Sequence, residues 1–109
     1  MILATVRMTI PSQKREEALK IVRSVAEQCG DYLGCLSSYI YGDLQEKNVL
    51  VLEELWKTEA DLLHHIRSEE YRNLLLVLEM ALKQPEIRFD TISSSKGIET
   101  IEKARTHAR

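Results

Sequence analysis

Residues 48–56 read Asn-Val-Leu-Val-Leu-Glu-Glu-Leu-Trp, a run that favours a β-strand because branched, aliphatic and aromatic side chains dominate it. Both faces of this strand carry apolar side chains: Val49, Val51 and Leu55 on one, Leu50, Leu52 and Trp56 on the other. A strand that is apolar on both faces is normally covered from both sides. In a chain this short, the second cover is expected to be another copy of the same chain.

Three further strands are predicted around this one. Residues 35–41, Cys-Leu-Ser-Ser-Tyr-Ile-Tyr, form a strand that the polar turn at residues 42–47 joins to it as an antiparallel hairpin. Residues 2–10 alternate apolar and polar side chains, which indicates a strand with one buried face. Residues 87–92 alternate in the same way.

Helices are predicted between the strands. From residue 12 to residue 30, apolar side chains recur at spacings of three and four, with Ser12 as the expected N-cap and Gly30 as the expected left-handed C-terminal residue. Thr58 begins a short helix with a capping pattern, and Ser68 begins a longer one that ends before Pro85.

The element order is therefore strand, helix, strand, strand, helices, strand and tail. This is the split βαββαβ order of a ferredoxin-like α+β sandwich. We expect residues 1–93 to form this domain and residues 94–109 to form a C-terminal tail that is either helical or loose.

Composition excludes several classes of partner. The 109 residues carry 15 Lys and Arg against 17 Asp and Glu, a formal charge of −2 that argues against nucleic acid or an anionic membrane as a partner. Arg7 and Thr9 interrupt the N-terminal apolar stretch, so no signal peptide is expected and a cytoplasmic location follows. In that compartment, Cys29 and Cys35 are expected to be free thiols.

A spaced set of residues resembles a known signature. Glu54, Trp56, Thr58 and Leu62, followed by His65, Ser68 and Tyr71, match the E-x-W-x-[ST]-x-x-x-[LF]-x-x-H-x-x-S-x-x-[YF] pattern of the antibiotic biosynthesis monooxygenase family. The resemblance implies a homodimeric α+β barrel with a cavity between each sheet and its own helices. It also implies chemistry without a cofactor for the family's oxygenases, which act on quinols and anthrones.

The family also contains isomerases of a small signalling metabolite and haem-degrading enzymes. The haem-degrading members resemble one another at three places, a strand Asn, a helix Trp and a later His, which align here with Val6, His65 and Leu75. All three residues differ, so haem degradation is not expected.

The candidate catalytic residues are Glu54 and His65, either of which could handle a substrate proton. Ordinary structural roles stay open for them, an ion pair with Arg or Lys for Glu54 and a helix hydrogen bond for His65. His64 points about 100° away from His65 on a helix, so the two cannot chelate one metal, and no metal or other cofactor is expected.

The candidate substrate-binding residues are Trp56, Tyr71, Val6 and Tyr39. Trp56 would form a wall of the pocket, or simply pack beneath a helix. The primary functional hypothesis is a cofactor-independent monooxygenase, an oxidoreductase for a small aromatic or quinol-like substrate. The alternatives are an isomerase of a small signalling metabolite and a non-enzymatic dimeric barrel that binds a small apolar ligand.

Overall fold

The computed structural model describes residues 1–107 and contains four strands and four α-helices. The strands are β1 (Ile2–Thr9), β2 (Cys35–Gly42), β3 (Val49–Trp56) and β4 (Glu86–Thr91). The helices are α1 (Arg15–Glu27), α2 (Glu59–Ile66), α3 (Glu69–Glu79) and α4 (Ile98–His107). Short 3-10 turns occupy Ser12–Lys14 and Gln28–Asp31.

The four strands form one antiparallel sheet in the order β2-β3-β1-β4. This order confirms the predicted ferredoxin-like α+β fold. The helices α1, α2 and α3 cover one face of the sheet, so alternate residues of β1 and β3 face the core. Leu50, Leu52, Glu54 and Trp56 are buried on this face of β3, which runs through the middle of the sheet.

The other face of the sheet carries no helix among the described residues. Of the apolar side chains of β3 on this face, Val49 is buried, whereas Val51 and Leu55 are half-buried. On it, Val51 and Leu55 of β3 lie beside Tyr39 and Tyr41 of β2. The apolar character of both faces of β3 is therefore real, and one of those faces is open in the single chain.

Two predicted N-caps are confirmed. The Thr58 hydroxyl accepts a hydrogen bond from the Asp61 amide (3.1 Å), and the Ser68 hydroxyl accepts one from the Tyr71 amide (3.3 Å). The predicted cap at Ser12 is wrong, because Ser12 lies in a 3-10 turn and α1 begins only at Arg15.

The prediction that Gly30 is left-handed is also wrong. After α1 ends, Gly30 continues the chain in the second 3-10 turn, and the positive φ falls instead at Gly34 (84°). A Cβ at Gly34 would collide with the Asp61 carboxylate at the start of α2. The Gly34 carbonyl also accepts a hydrogen bond from the Lys57 amide (2.8 Å), so the glycine lets this loop lie directly against the β3–α2 junction.

The expectation of free cysteines is wrong as well. Cys29 and Cys35 form a disulfide, with their Cα atoms 5.3 Å apart. The 3-10 turn after α1 folds the chain back, so two residues six apart in sequence come within bonding reach.

The segment after β4 is largely helical in the described residues. The helix α4 begins at Ile98, and its side chains at Ile98 and Ile101 are exposed. The end of the predicted tail, residues 108–109, lies outside the described residues. None of the helices in residues 1–107 has the length and hydropathy needed to cross a bilayer.

We expect Gly34→Ala to lower the free energy of unfolding by about 1–3 kcal/mol, because the new side chain must adopt a positive φ and displace Asp61. The matched control is Gly30→Ala, whose Cβ meets nothing within 4 Å. Urea unfolding followed by circular dichroism measures both changes. Equal effects of the two substitutions would contradict this description of the loop.

Candidate functional site

Glu54 is a buried carboxylate on the helix-covered face of β3, with 4% of its surface exposed. Ser38 is its register partner on β2, so both side chains point to the same side of the sheet. The Ser38 hydroxyl donates a hydrogen bond to Glu54 Oε2 (2.9 Å). The other carboxylate oxygen, Oε1, lies 3.4 Å from Nε2 of His65. Its partners are therefore a hydroxyl and an imidazole rather than the Arg or Lys that sequence reasoning left open.

His65 reaches this carboxylate from the last turn of α2 and is 1% exposed. Aromatic rings surround its imidazole. Trp56 stacks on it with a centroid distance of 4.8 Å, while Tyr32 and Tyr71 meet it edge-on at 4.8 and 5.3 Å. The imidazole is thus shielded from bulk solvent and held beside Glu54.

Several polar atoms of this cluster lack hydrogen-bond partners within the described part of the chain. They are Nε1 of Trp56 and both imidazole nitrogens of His65. Buried polar groups in proteins are nearly always hydrogen-bonded. Nε2 of His65 faces Glu54 Oε1 at 3.4 Å without hydrogen-bond geometry, whereas Nδ1 of His65 and Nε1 of Trp56 have no partner among the described residues. These last two nitrogens indicate a site that a ligand can complete. The imidazole can accept a proton there, and Glu54 is placed to stabilise the resulting positive charge.

Tyr71 contributes a phenol to the same cluster. Burial raises the pKa of this phenol, and the negative charge of Glu54 raises it further. Tyr71 is therefore a neutral hydrogen-bond donor at physiological pH rather than a second base.

Sequence reasoning missed Tyr32 and Ser38. The Tyr32 hydroxyl donates a hydrogen bond to the Glu70 carboxylate at the start of α3, which closes the ring of aromatic side chains around His65. This bond raises the pKa of Tyr32 and lowers the pKa of Glu70. Alternation along β2 shows which of its side chains share a face with Ser38. Only the pairing register with β3 shows that this is also the face of Glu54.

Glu54, Trp56, His65 and Tyr71 come together in the structure, and Val6 packs in one core cluster with Tyr71, whereas Tyr39 lies elsewhere. Val6 is buried on the same face of the sheet as Glu54, and its pairing partner on β3 is Leu52, two residues before Glu54. Tyr39 lies on the opposite face and is 56% exposed. His64 is exposed, as expected.

The placement of Tyr39 follows from a β-bulge at the start of β2. Regular alternation along β2 predicts that Cys35 and Tyr39 share one face, but the pairing register shifts between Cys35 and Ser37. As a result, Cys35 packs beside Trp56 while Tyr39 points to the open face.

An apolar groove of about 200 Å³ lies between α2 and β4. It is lined by Ile2, Glu59, Leu62, Leu63, Ile66, Phe89 and Thr91. Ile2 and Leu62 also pack in one cluster with Trp56, so a single layer of side chains separates the groove from the indole ring. In residues 1–107 no cluster of His, Cys, Asp or Glu has the arrangement of a metal site.

Comparison with known proteins identifies the family. Residues 1–75 match the family model described as antibiotic biosynthesis monooxygenase. The chain belongs to this family. The match includes every residue of the buried cluster, and it ends before β4 and α4. Among curated proteins, none matches the chain significantly.

Solved structures share the family fold. A conserved protein of Methanosarcina mazei Go1 has a TM-score of 0.76 at 27% identity, covering 82% of this chain and 89% of its own. A structure named antibiotic biosynthesis monooxygenase has a TM-score of 0.77 at 18% identity, covering 86% and 100%. A Mycobacterium tuberculosis protein has a TM-score of 0.79 at 18% identity, covering 88% and 98%. The last two are similar to this chain in fold alone.

The Tyr32–Glu70 hydrogen bond gives a testable pH dependence. Because folding lowers the pKa of Glu70, its contribution to stability is present above the ordinary value of 4.5 and is lost as pH falls below it. We therefore expect Tyr32→Phe to be less stable than the unmodified protein at pH 7, with a difference that shrinks below pH 4.5. Thermal unfolding across pH 3–7 measures this difference, and a gap that is independent of pH would contradict the assignment.

Proposed function

We propose that this protein is a cofactor-independent monooxygenase for a small aromatic or quinol-like substrate that binds between the sheet and α2. The observation that carries the proposal is the buried Glu54–His65 pair beside Trp56, in which Nε2 of the imidazole faces the carboxylate and Nδ1 has no partner among the described residues. Membership of the antibiotic biosynthesis monooxygenase family supports the reaction class.

In the proposed reaction, His65 removes a proton from the substrate and Glu54 stabilises the imidazolium. Ser38 holds the carboxylate in place, and the aromatic walls at Trp56 and Tyr71 exclude water. A desolvated, electron-rich anion can itself reduce dioxygen. For an anthrone, a methylene carbon loses two hydrogens and gains one oxygen atom as a carbonyl, while the second oxygen atom leaves as water.

The apolar groove between α2 and β4 is the proposed approach to Trp56. Its lining is apolar except at Glu59 and Thr91, which suits a flat aromatic molecule better than a charged one. Movement of Ile2 and Leu62 would connect the groove to the buried cluster.

A second candidate function is ligand binding without catalysis. It is favoured by the apolar groove between α2 and β4, which can hold a ligand while Ile2 and Leu62 lie between it and Trp56. The two functions differ in one measurable respect, because only the enzyme consumes oxygen when a ligand binds.

Oxygen uptake with a panel of anthrones and quinols tests the enzymatic proposal. We expect turnover by the unmodified protein and a decrease in kcat of about 100- to 10,000-fold for Glu54→Gln and for His65→Gln, because each removes part of the proton-transfer pair. The matched control is His64→Gln, which alters the adjacent exposed imidazole and should leave kcat unchanged.

The same panel separates the alternatives. Ligands that raise the melting temperature without oxygen uptake would support the binding function and contradict the enzymatic one. Equal losses of activity in the His64 and His65 variants would contradict the role given to the buried pair.

We also propose that the protein is a homodimer that buries the open face of the sheet. Leu3 and Leu55 are register partners on that face, and Val51 lies beyond Glu53 on the same strand as Leu55, beside Tyr41 of β2. Two charged side chains of β1 and β3 lie on this face: Arg7, which is already paired with Asp43 and Glu46, and Glu53, which lies between Val51 and Leu55.

Light scattering at micromolar concentration is expected to give about twice the chain mass of 12.6 kDa. Leu55→Lys places a charge on the open face and should shift the protein towards monomer. The matched control is Leu44→Lys, in the β2–β3 turn, which should leave the mass unchanged. A monomeric mass for the unmodified protein would contradict the proposal.

A further inference from the structure

A short covalent ring lies directly over the buried imidazole. The strap, defined as residues 29–35, is closed by the Cys29–Cys35 disulfide, and Tyr32 is its central residue. The Tyr32 ring is the strap's contact with His65, edge-on at a centroid distance of 4.8 Å. On the outer side, Leu33 is 84% exposed, so the strap separates His65 from solvent.

Non-covalent contacts also hold the strap in this position. Within it, the Tyr32 amide donates to the Cys29 carbonyl (3.2 Å) and the Cys35 amide donates to the Tyr32 carbonyl (3.3 Å). The Tyr32 hydroxyl binds Glu70, and the Gly34 carbonyl accepts from the Lys57 amide at 2.8 Å. Glu70 is only half-buried, so its hydrogen bond competes with water. The disulfide adds a covalent link between the two ends of the strap, and unlike the hydrogen bonds it does not open and close spontaneously while Tyr32 covers the imidazole.

Both half-cystines are half-buried rather than enclosed in the core. Thiol–disulfide exchange requires that a thiolate reach one of the two sulfur atoms, and partial exposure of both residues is compatible with that approach.

We propose that Cys29–Cys35 is a reversible redox site that controls access to His65 through the strap. A small dithiol is the reductant. One thiolate of the dithiol attacks one sulfur and breaks the protein's S–S bond, which gives a mixed disulfide and releases the first Cys thiol. The second thiol of the dithiol then attacks the mixed disulfide and releases the other Cys thiol. Two electrons and two protons pass to the protein, which gains two Cys thiols, while the dithiol becomes a disulfide. With the ring cut, Tyr32 leaves the imidazole more often, and the effect of this opening on turnover rests on the proposed function.

Carbethoxylation of histidine by diethyl pyrocarbonate, located by mass spectrometry, measures this access directly. His64 is an internal reference because it is exposed and adjacent in sequence to His65. In the oxidised protein, His64 should react while His65 is protected. After reduction by dithiothreitol and alkylation of the thiols, the rate at His65 relative to His64 should rise about tenfold, the size of effect typical of a local opening.

Three variants sharpen the test. The Cys29→Ser/Cys35→Ser double variant cannot close the ring and should match the reduced protein. Tyr32→Ala should expose His65 with the disulfide intact. Leu33→Ala alters an exposed side chain of the same strap and should leave His65 protected.

Several outcomes would overturn the proposal. They are an oxidised protein whose intact mass shows two free thiols, unchanged labelling of His65 after reduction, and labelling that rises only when the far-UV circular dichroism of the whole domain is lost. The labelling needs no substrate, so a redox-dependent His65 without oxygen uptake would refute the proposed function and leave this inference standing.

Discussion

The burial of a carboxylate beside an imidazole is the constraint on which the rest of this structure depends. Removing such groups from water is costly unless they are paired, and removing one partner of a buried pair costs about 3–5 kcal/mol in other proteins. Here Glu54 stands in the middle of the sheet and His65 in the last turn of α2. For His65 to reach Glu54, α2 must begin at a fixed residue and pack at a fixed distance from the sheet. The Thr58 cap favours the first condition, and the close approach of Gly34 to Asp61 favours the second.

Much of this arrangement could be predicted from periodicity and spacing. Alternation along β1 predicted which of its side chains are buried, and the caps at Thr58 and Ser68 predicted where α2 and α3 begin. Glu54 and Trp56 share a face because they are two residues apart on a strand. His65 and Tyr71 follow in the same motif, and the packing of α2 and α3 on the sheet brings them into one cluster with Glu54 and Trp56.

The parts that escaped prediction depend on irregular backbone. A bulge near Leu36 reverses the faces of β2, which places Ser38 against Glu54 and turns Tyr39 to the open side. A 3-10 turn brings Cys29 to Cys35 and Tyr32 to His65. Neither feature has a periodic signature in the sequence, and a single residue of slippage changes every side-chain direction that follows it.

The central claim is that the buried pair is a ligand site rather than an internal packing feature. The most direct measurement is long-range ¹H–¹⁵N NMR of the imidazole nitrogens during anaerobic titration with an anthrone or quinol, which allows binding without turnover. The account predicts a saturable shift of the His65 nitrogens with little change at His64. A ligand that binds the protein and leaves the His65 nitrogens unchanged would contradict it.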